Sequence, residues 1–276
     1  MLNSFNELHK NSDELYSIDL EIANKDGVRQ DLNFPKFHKG SNYGVLLIHG
    51  FCASPKEMNT LYSKLVESGL SVYNARVAGH GSFVEDMNRV TYSDWYDSLE
   101  VGYNCLKESC DRIIVVGQSN GGLLATAVAG LNKVDGLVLL APAFEINNGF
   151  FKLLPYIYKI YKKIPRVFHN ESDKLYNYEY FPSISCVEMI KLQKEINKII
   201  YNIQVPTFYA VSEKDMVVST KKVKEVYDNT NNPYKKIKIY NNKEYNIFHI
   251  LTENNMSDII NDINNWIVKT FNSYNV

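Results

Sequence analysis

The chain has 276 residues, 30 Lys+Arg against 31 Asp+Glu, and a net charge of −1. That balance argues against a nucleic-acid binder that reads phosphates through a basic surface. Hydrophobic residues at 45% and charged residues at 22% are ordinary globular usage and argue against disorder.

In chain order, residues 16–22 alternate apolar and polar side chains and predict a strand, with Asp26-Gly27 supplying turn chemistry after it. The residues before Tyr43 are thus expected to form a leading antiparallel hairpin at a sheet edge. The run YGVLLI at 43–48 predicts a strand buried on both faces. Ser54-Pro55-Lys56-Glu57 reads as a capping box with Pro at the first helical position, and Leu61, Leu65 and Val66 repeat at helical spacing until Gly69. Residues 71–77 read as a strand, and 93–110 as a helix carrying Trp95, Leu99, Tyr103 and Leu106 on one stripe. RIIVVG at 112–117 is a strand, 121–130 a small-residue helix, and DGLVLLA at 135–141 another strand. After an interruption come a strand at 207–212, a helix at 220–227, a strand at 235–240 and a closing helix at 253–271, with Ile259, Ile263, Trp266 and Ile267 on one face.

Strands alternating with helices place the chain in the α/β class: a mostly parallel central sheet, helices on both faces, right-handed crossovers. The interruption breaks the pattern. Its stretch GFFKLLPYIYKIYKKIPR at 149–166 is dense in aromatics and Lys without a strand signal, and 185–201 is a second helical stretch with Val187, Ile190, Ile196, Ile199 and Ile200. Residues 144–204 are therefore expected to be a helical cap inserted between two halves of one core, 1–143 and 205–276. Ligands of such sheets sit outside the carboxyl ends of the strands, so functional residues are sought just after strands.

The sharpest signal there is Gly117-Gln118-Ser119-Asn120-Gly121, a G-x-S-x-G between a predicted strand and a predicted helix. A serine on that turn is held in a strained conformation with Oγ above the sheet edge, and its neighbours two positions away must be small. A serine hydroxyl is a poor nucleophile near neutral pH and needs a positioned base, itself oriented by an acid. The expected chain order is Ser, acid, His. Of the histidines after Ser119, His169 lies among Arg166, Glu171 and Asp173 in a solvated setting, whereas His249 lies between the last strand and the last helix, where the base belongs. For the acid, Asp215 in Ser212-Glu213-Lys214-Asp215 is the better placed and Glu213 the runner-up. Oxyanion donors are expected from the backbone N–H of Asn120 and, in the loop His49-Gly50-Phe51-Cys52, from that of Phe51. His49 precedes Ser119 and reads as a packing and hydrogen-bonding residue of that loop.

His49-Gly50-Phe51, Ala78-Gly79-His80-Gly81, Gly117–Gly122 (GQSNGG), Glu213-Lys214-Asp215 and the late His249 together resemble the α/β-hydrolase superfamily. Val84-Glu85-Asp86-Met87 after the Gly-His-Gly, and Asp94-Trp95 near the next helix start, are most similar to its bacterial carboxylesterase and monoacylglycerol-lipase branch. The similarity spans about residues 43–270. It implies Ser119 as nucleophile, Asp215 as acid, His249 as base, and the amides of Phe51 and Asn120 as the oxyanion hole, with no metal and no cofactor. Asn120 departs from the Met or Leu common in that branch, and Ile247-Phe248 from the small residue that usually precedes the histidine.

The expected substrate is a small carboxylic ester with an apolar acyl chain, lined by Phe51, Phe144, Phe150 and Leu154, with Phe151, Leu153, Tyr156 and Ile157 also in the cap. Lys152, Lys159, Lys162, Lys163 and Arg166 read as a solvated face or a face toward a micelle. A peptidase would want cap carboxylates, for which Glu171, Asp173 and Glu179 are available. The same triad would also serve an acyltransferase or a carbon–carbon hydrolase, and the same fold a non-catalytic ligand-binding protein. A histidine base predicts kcat/KM rising through about pH 6–7. Cys52, Cys105, Cys110 and Cys186 form no CxxC pair and no metal-ligand spacing, so reduced structural thiols are expected. Residues 1–16 carry no apolar leader, and no segment approaches the roughly 18 apolar residues of a membrane span. The sequence thus predicts a cytoplasmic protein with no stable membrane insertion.

Overall fold

The computed structural model describes residues 11–166, 176–241, 249–253 and 255–273. His169, Glu171, Asp173 and Ile247-Phe248 lie outside them. The central sheet contains β1 (Lys36–His38), β2 (Tyr43–Ile48), β3 (Ser71–Ala75), β4 (Arg112–Gln118), β5 (Gly136–Leu140), β8 (Thr207–Ser212) and β9 (Lys235–Tyr240). Its order is β1-β3-β2-β4-β5-β8-β9. All neighbours pair in parallel except β1, which runs antiparallel to β3 at one margin. The strands predicted from continuous apolar runs are there because β2, β4, β5 and β8 are buried along almost their whole length, as a sheet covered on both faces requires.

The helices are α1 (Ser12–Lys25), α2 (Asn59–Glu67), α3 (Tyr92–Lys107), α4 (Asn120–Leu131), α5 (Leu154–Ile157), α6 (Ser183–Ile199), α7 (Thr220–Asn229) and α8 (Ser257–Ser273). α1 packs on α3, α2 packs on α8, and α4 lies against β4, β5 and α6. Trp95, Leu99, Tyr103 and Leu106 of α3 all point inward, as do Ile259, Ile263 and Ile267 of α8. No helix among the described residues is long and apolar enough to cross a membrane.

Three expectations are corrected. The predicted strand at 16–22 is part of α1, so no leading hairpin forms among the described residues, and β1 is the margin strand beside β3. Asn11 caps α1, accepting the N–H groups of Asp13 and Glu14 at 3.0 Å, while Glu14 accepts Asn11 N–H at 3.0 Å. This reciprocal pair satisfies orphan amides and starts a helix. The polar Asp19 faces inward and accepts the Tyr73 hydroxyl at 2.6 Å, which an alternating strand reading assigns to solvent. Second, Ser54 and Glu57 form no capping box: Ser54 Oγ donates to Asn33 Oδ1 at 2.6 Å, Glu57 Oε1 accepts Gly50 N–H at 2.7 Å, and Pro55–Met58 is a 3-10 turn leading into α2. Third, the interruption is not purely helical. Besides α5 and α6 it holds an antiparallel pair, β6 (Lys163–Pro165) with β7 (Tyr180–Pro182), inside a stretch with no strand signal. None of its described residues adds a strand to the central sheet.

Apolar packing is dominated by one cluster that runs through both faces of the sheet, with a smaller one formed by Leu154, Cys186 and Val187. The sheet register aligns the strand ends. Ile48 lies opposite Gly117, Gln118 opposite Leu140, and Leu140 opposite Ala210. The carboxyl ends of β2, β4, β5 and β8 therefore reach one common margin. β2 has β3 on one side and β4 on the other, so strand order reverses there, the position where such sheets open a crevice.

Candidate active site

Ser119 occupies the single position between β4 and α4 with φ 57° and ψ −116°. For a residue with a Cβ this conformation costs about 1–3 kcal/mol, so its surroundings must hold it. Its N–H donates to Leu140 O at 2.8 Å, and its carbonyl accepts from Gly122 N–H at 3.0 Å and Ala143 N–H at 3.1 Å. The flanking glycines are dictated by contact. A Cβ on Gly117 would stand 2.0 Å from Gly121 O, and one on Gly121 would stand 2.3 Å from Ile48 O.

The structure brings Ser119 together with His249 and Asp215. His249 Nε2 is 2.9 Å from Ser119 Oγ. Nδ1 is 2.9 Å from Asp215 Oδ2 and 3.1 Å from Oδ1. With a carboxylate at Nδ1, that nitrogen carries the proton and Nε2 is free to accept from the serine hydroxyl. The Asp215 side chain is fully enclosed, and Oδ1 also accepts the N–H groups of Val217 and Val218, both at 2.8 Å. Asn147 locks this turn, donating from Nδ2 to Asp215 O at 3.0 Å and to Val218 O at 2.7 Å. Glu213, the runner-up acid, is exposed and its N–H instead extends the β8–β9 pairing to Tyr240 O. Such a carboxylate–imidazole–hydroxyl chain can take a proton from an attacking alcohol and stabilise the imidazolium that results.

The loop after β2 supplies the remaining geometry. Val77 N–H donates to His49 Nε2 at 3.2 Å, so His49 Nδ1 carries the proton and donates to Gly50 O at 2.9 Å. A peptide unit is planar, with its C=O and N–H pointing opposite ways. Holding the Gly50 carbonyl therefore fixes the direction of the Phe51 N–H. Burial, with the neighbouring His80 second, keeps His49 far below the usual imidazole range, so it stays neutral. Burial likewise lowers His80 to about 4, while its Nδ1–H donates to Ala78 O at 3.0 Å. Asn120 opens α4, where a first-turn N–H has no partner within the helix.

Of the apolar positions expected around a substrate, Phe51 and Phe150 are partly exposed, whereas Phe144 and Leu154 are 1% and 0% exposed. Phe144 sits in the main core and Leu154 in the small cluster, so both pack the fold; Leu153 and Tyr156 point outward at 56% and 86%. The Phe51 ring stacks on Phe181 with centroids 5.9 Å apart and meets Trp95 edge-on at 5.9 Å. Sequence reasoning missed three residues that shape the site. Asn147 clamps Asp215, Glu57 holds Gly50, and Arg166 donates to Cys52 O at 2.9 Å while its guanidinium rests on Phe181. Glu57 carried a signal, since a carboxylate follows His-Gly-Phe closely, but a capping box absorbed it. Asn147 and Arg166 carried none.

The chain matches the model of a hydrolase family described as serine aminopeptidase, S33, over residues 41–250, well over half of its length. This protein is an α/β-hydrolase of the S33 family. Among curated relatives of this α/β-hydrolase, the thermostable monoacylglycerol lipase of Bacillus sp. (strain H-257) is 32% identical over 191 residues, covering 67% of the chain and 75% of the relative. The carboxylesterase of Bacillus subtilis (strain 168) is 23% identical over 231 residues, covering 82% and 92%. A solved structure from work on the metagenome-derived lipolytic enzymes LipS and LipT superposes with a TM-score of 0.78 at 23% identity, covering 87% of this hydrolase and 98% of that chain. The monoacylglycerol lipase of Paleococcus ferrophilus gives 0.70 at 14% identity, covering 86% and 98%. The two structural likenesses speak for the fold.

Proposed function

We propose that this α/β-hydrolase cleaves carboxylic esters with apolar, short- to medium-chain acyl groups, monoacylglycerols among them, through an acyl-enzyme on Ser119. The observation that carries the reading is His249 Nε2 at 2.9 Å from Ser119 Oγ with Nδ1 on the enclosed Asp215 carboxylate. The names of the curated relatives, a monoacylglycerol lipase and a carboxylesterase, support the bond type. As Oγ attacks the ester carbonyl, its proton passes to Nε2 and the carbonyl oxygen becomes an oxyanion, received by the N–H groups of Phe51 and Asn120. The tetrahedral intermediate expels the alkoxide, which takes the proton from His249. Water, deprotonated by the same imidazole, then attacks the acyl-serine, and the second tetrahedral intermediate collapses to the carboxylic acid as His249 returns that proton to Ser119 Oγ. Asp215 keeps the imidazole in the required tautomer throughout.

In this reading residues 144–204 form a cap over the strand ends. Support comes from the Phe51–Phe181 stack, the Arg166 bond to Cys52 O, Gln193 Nε2 donating to Ala143 O at 2.6 Å, and Tyr178, whose hydroxyl donates to Gly79 O at 2.7 Å and accepts Ser82 N–H at 3.2 Å. Phe51 and Phe150 are the apolar surfaces left to meet an acyl chain. The four cysteines are free thiols, which suits a reducing compartment such as the cytoplasm.

The test is covalent labelling with a fluorophosphonate together with hydrolysis of aryl esters of increasing acyl length. Ser119→Ala is expected to abolish both, and labelling that survives it overturns the assignment. Competing alcohols added to the assay separate a hydrolase from an acyltransferase by product. The family description raises an aminopeptidase as a second reading. Turnover of aminoacyl aryl amides in preference to simple esters would favour it.

A further inference from the structure

Gly50 is squeezed between two side chains. A Cβ at this position would lie 3.1 Å from Glu57 Oε1, 3.4 Å from Ser119 Cβ and 3.5 Å from Gln118 O. Glu57 thus reaches the same glycine that backs onto Ser119, and its Oε1 accepts Gly50 N–H at 2.7 Å. The residue is tied to the base as well: Thr252 Oγ1, just past His249, donates to Glu57 O at 2.8 Å. The charged groups facing the carboxylate are His249, Arg166 and Glu253. Burial raises the Glu57 pKa above the ordinary 4.5 and Glu253 adds to the rise, with the Gly50 amide, His249 and Arg166 only partly opposing. His249 itself faces Asp215 through Nδ1.

We propose that Glu57 is a positioning residue for ester cleavage: it pins the Gly50 amide so that Phe51 N–H stays aimed at the developing oxyanion. The proposal rests on Ser119 being the nucleophile. Two substitutions isolate that hydrogen bond. A glutamine keeps an acceptor oxygen for Gly50 N–H and removes the charge, whereas an alanine removes both. A hydrogen bond to an ionised acceptor is about twice as strong as a neutral one, so the glutamine holds the loop less firmly but still holds it.

The experiment measures hydrolysis of p-nitrophenyl butyrate between pH 5 and 9 by the full chain, Glu57→Gln and Glu57→Ala, with fluorophosphonate labelling and thermal melting of each. Glu57→Ala is expected to lose about 10–100-fold in kcat with KM changed by less than about twofold, as for a disturbed oxyanion donor. Glu57→Gln recovers most of that loss on the pH plateau. A Glu57→Gln as slow as Glu57→Ala, or wild-type plateau kcat in Glu57→Ala, overturns the positioning role. A parent protein without Ser119-dependent labelling and hydrolysis instead overturns the reading of the whole site.

Discussion

Gln118 Oε1 accepts the Leu251 N–H at 3.2 Å, so the residue directly before Ser119 holds the loop that carries His249. Gln118 is fully buried and Leu251 likewise. Replacing Gln118 by Leu leaves a buried N–H without a partner and frees the base to drift. We expect kcat to fall about 10-fold, since small misplacements of a reacting group are costly, with the folded structure retained by circular dichroism. Wild-type kcat in Gln118→Leu would show that the loop is held elsewhere.

His49 sets the orientation of the Gly50–Phe51 peptide from outside the Ser119–His249–Asp215 chain. His49→Ala is expected to lower kcat by about 100-fold, the usual cost of losing one oxyanion donor. KM should barely change, because the donor acts on charge present only in the transition state. Steady-state kinetics with one aryl ester tests this directly; a rise in KM at constant kcat would assign His49 to substrate binding.

Two glycines separate steric need from backbone need. In Gly121→Ala the new methyl meets Ile48 O at 2.3 Å and His49 O at 2.5 Å, and both are backbone atoms. The strand-to-helix turn must shift, at a cost of about 3 kcal/mol or more. Gly69 has φ +78° with nothing within 4 Å of an added Cβ, so Gly69→Ala should lose only about 1–2 kcal/mol, the left-handed penalty for one residue. Urea denaturation of the two variants gives the comparison.

Asp19 is buried against the Tyr73 hydroxyl, and burial raises its pKa above the ordinary 3.8, with the Tyr73 bond and Arg76 partly opposing. A carboxyl whose folded pKa exceeds its unfolded value binds its proton more tightly when folded. Its contribution to stability is present below the unfolded value and is lost as pH rises through the folded one. Asp19→Asn keeps an acceptor for Tyr73 and never ionises. The change in Tm relative to wild type should therefore be more favourable at pH 7 than at pH 4. The opposite order would mean that the ionised carboxylate is favoured in the fold.

Much of the fold is legible in the sequence, because a parallel sheet covered by helices needs apolar strands such as YGVLLI and RIIVVG, and the surface helices of this chain lack that texture. Ser119, Asp215 and His249 are legible as candidates for a related reason: each lies in a segment that follows a strand, Ser119 directly after β4, Asp215 three residues past β8 and His249 between β9 and the last helix, in the order serine, acid, histidine. The failures have physical causes too. In YSIDLEI at 16–22 the alternation mimics a strand, and the Asn11–Glu14 cap that starts the helix lies outside that window. β6 and β7 have three residues each, too few for periodicity to register. Glu57 could satisfy a helix end or a glycine amide across the loop, and local sequence cannot weigh a contact that tertiary packing creates.

The central sheet ends in unlike borders. On one side β1 offers three residues; on the other, β9 carries Lys235, Lys236 and Lys238. Lys235 Nζ is drawn back to Thr230 O at 2.7 Å, and Lys238 pairs with Asp262. A neighbouring molecule seeking to add a strand would meet a short stub at the first border and would have to desolvate a row of ammonium groups at the second, devices that keep sheets from recruiting one another. Concentrated solutions of this protein should accordingly resist edge-to-edge aggregation while the native state persists.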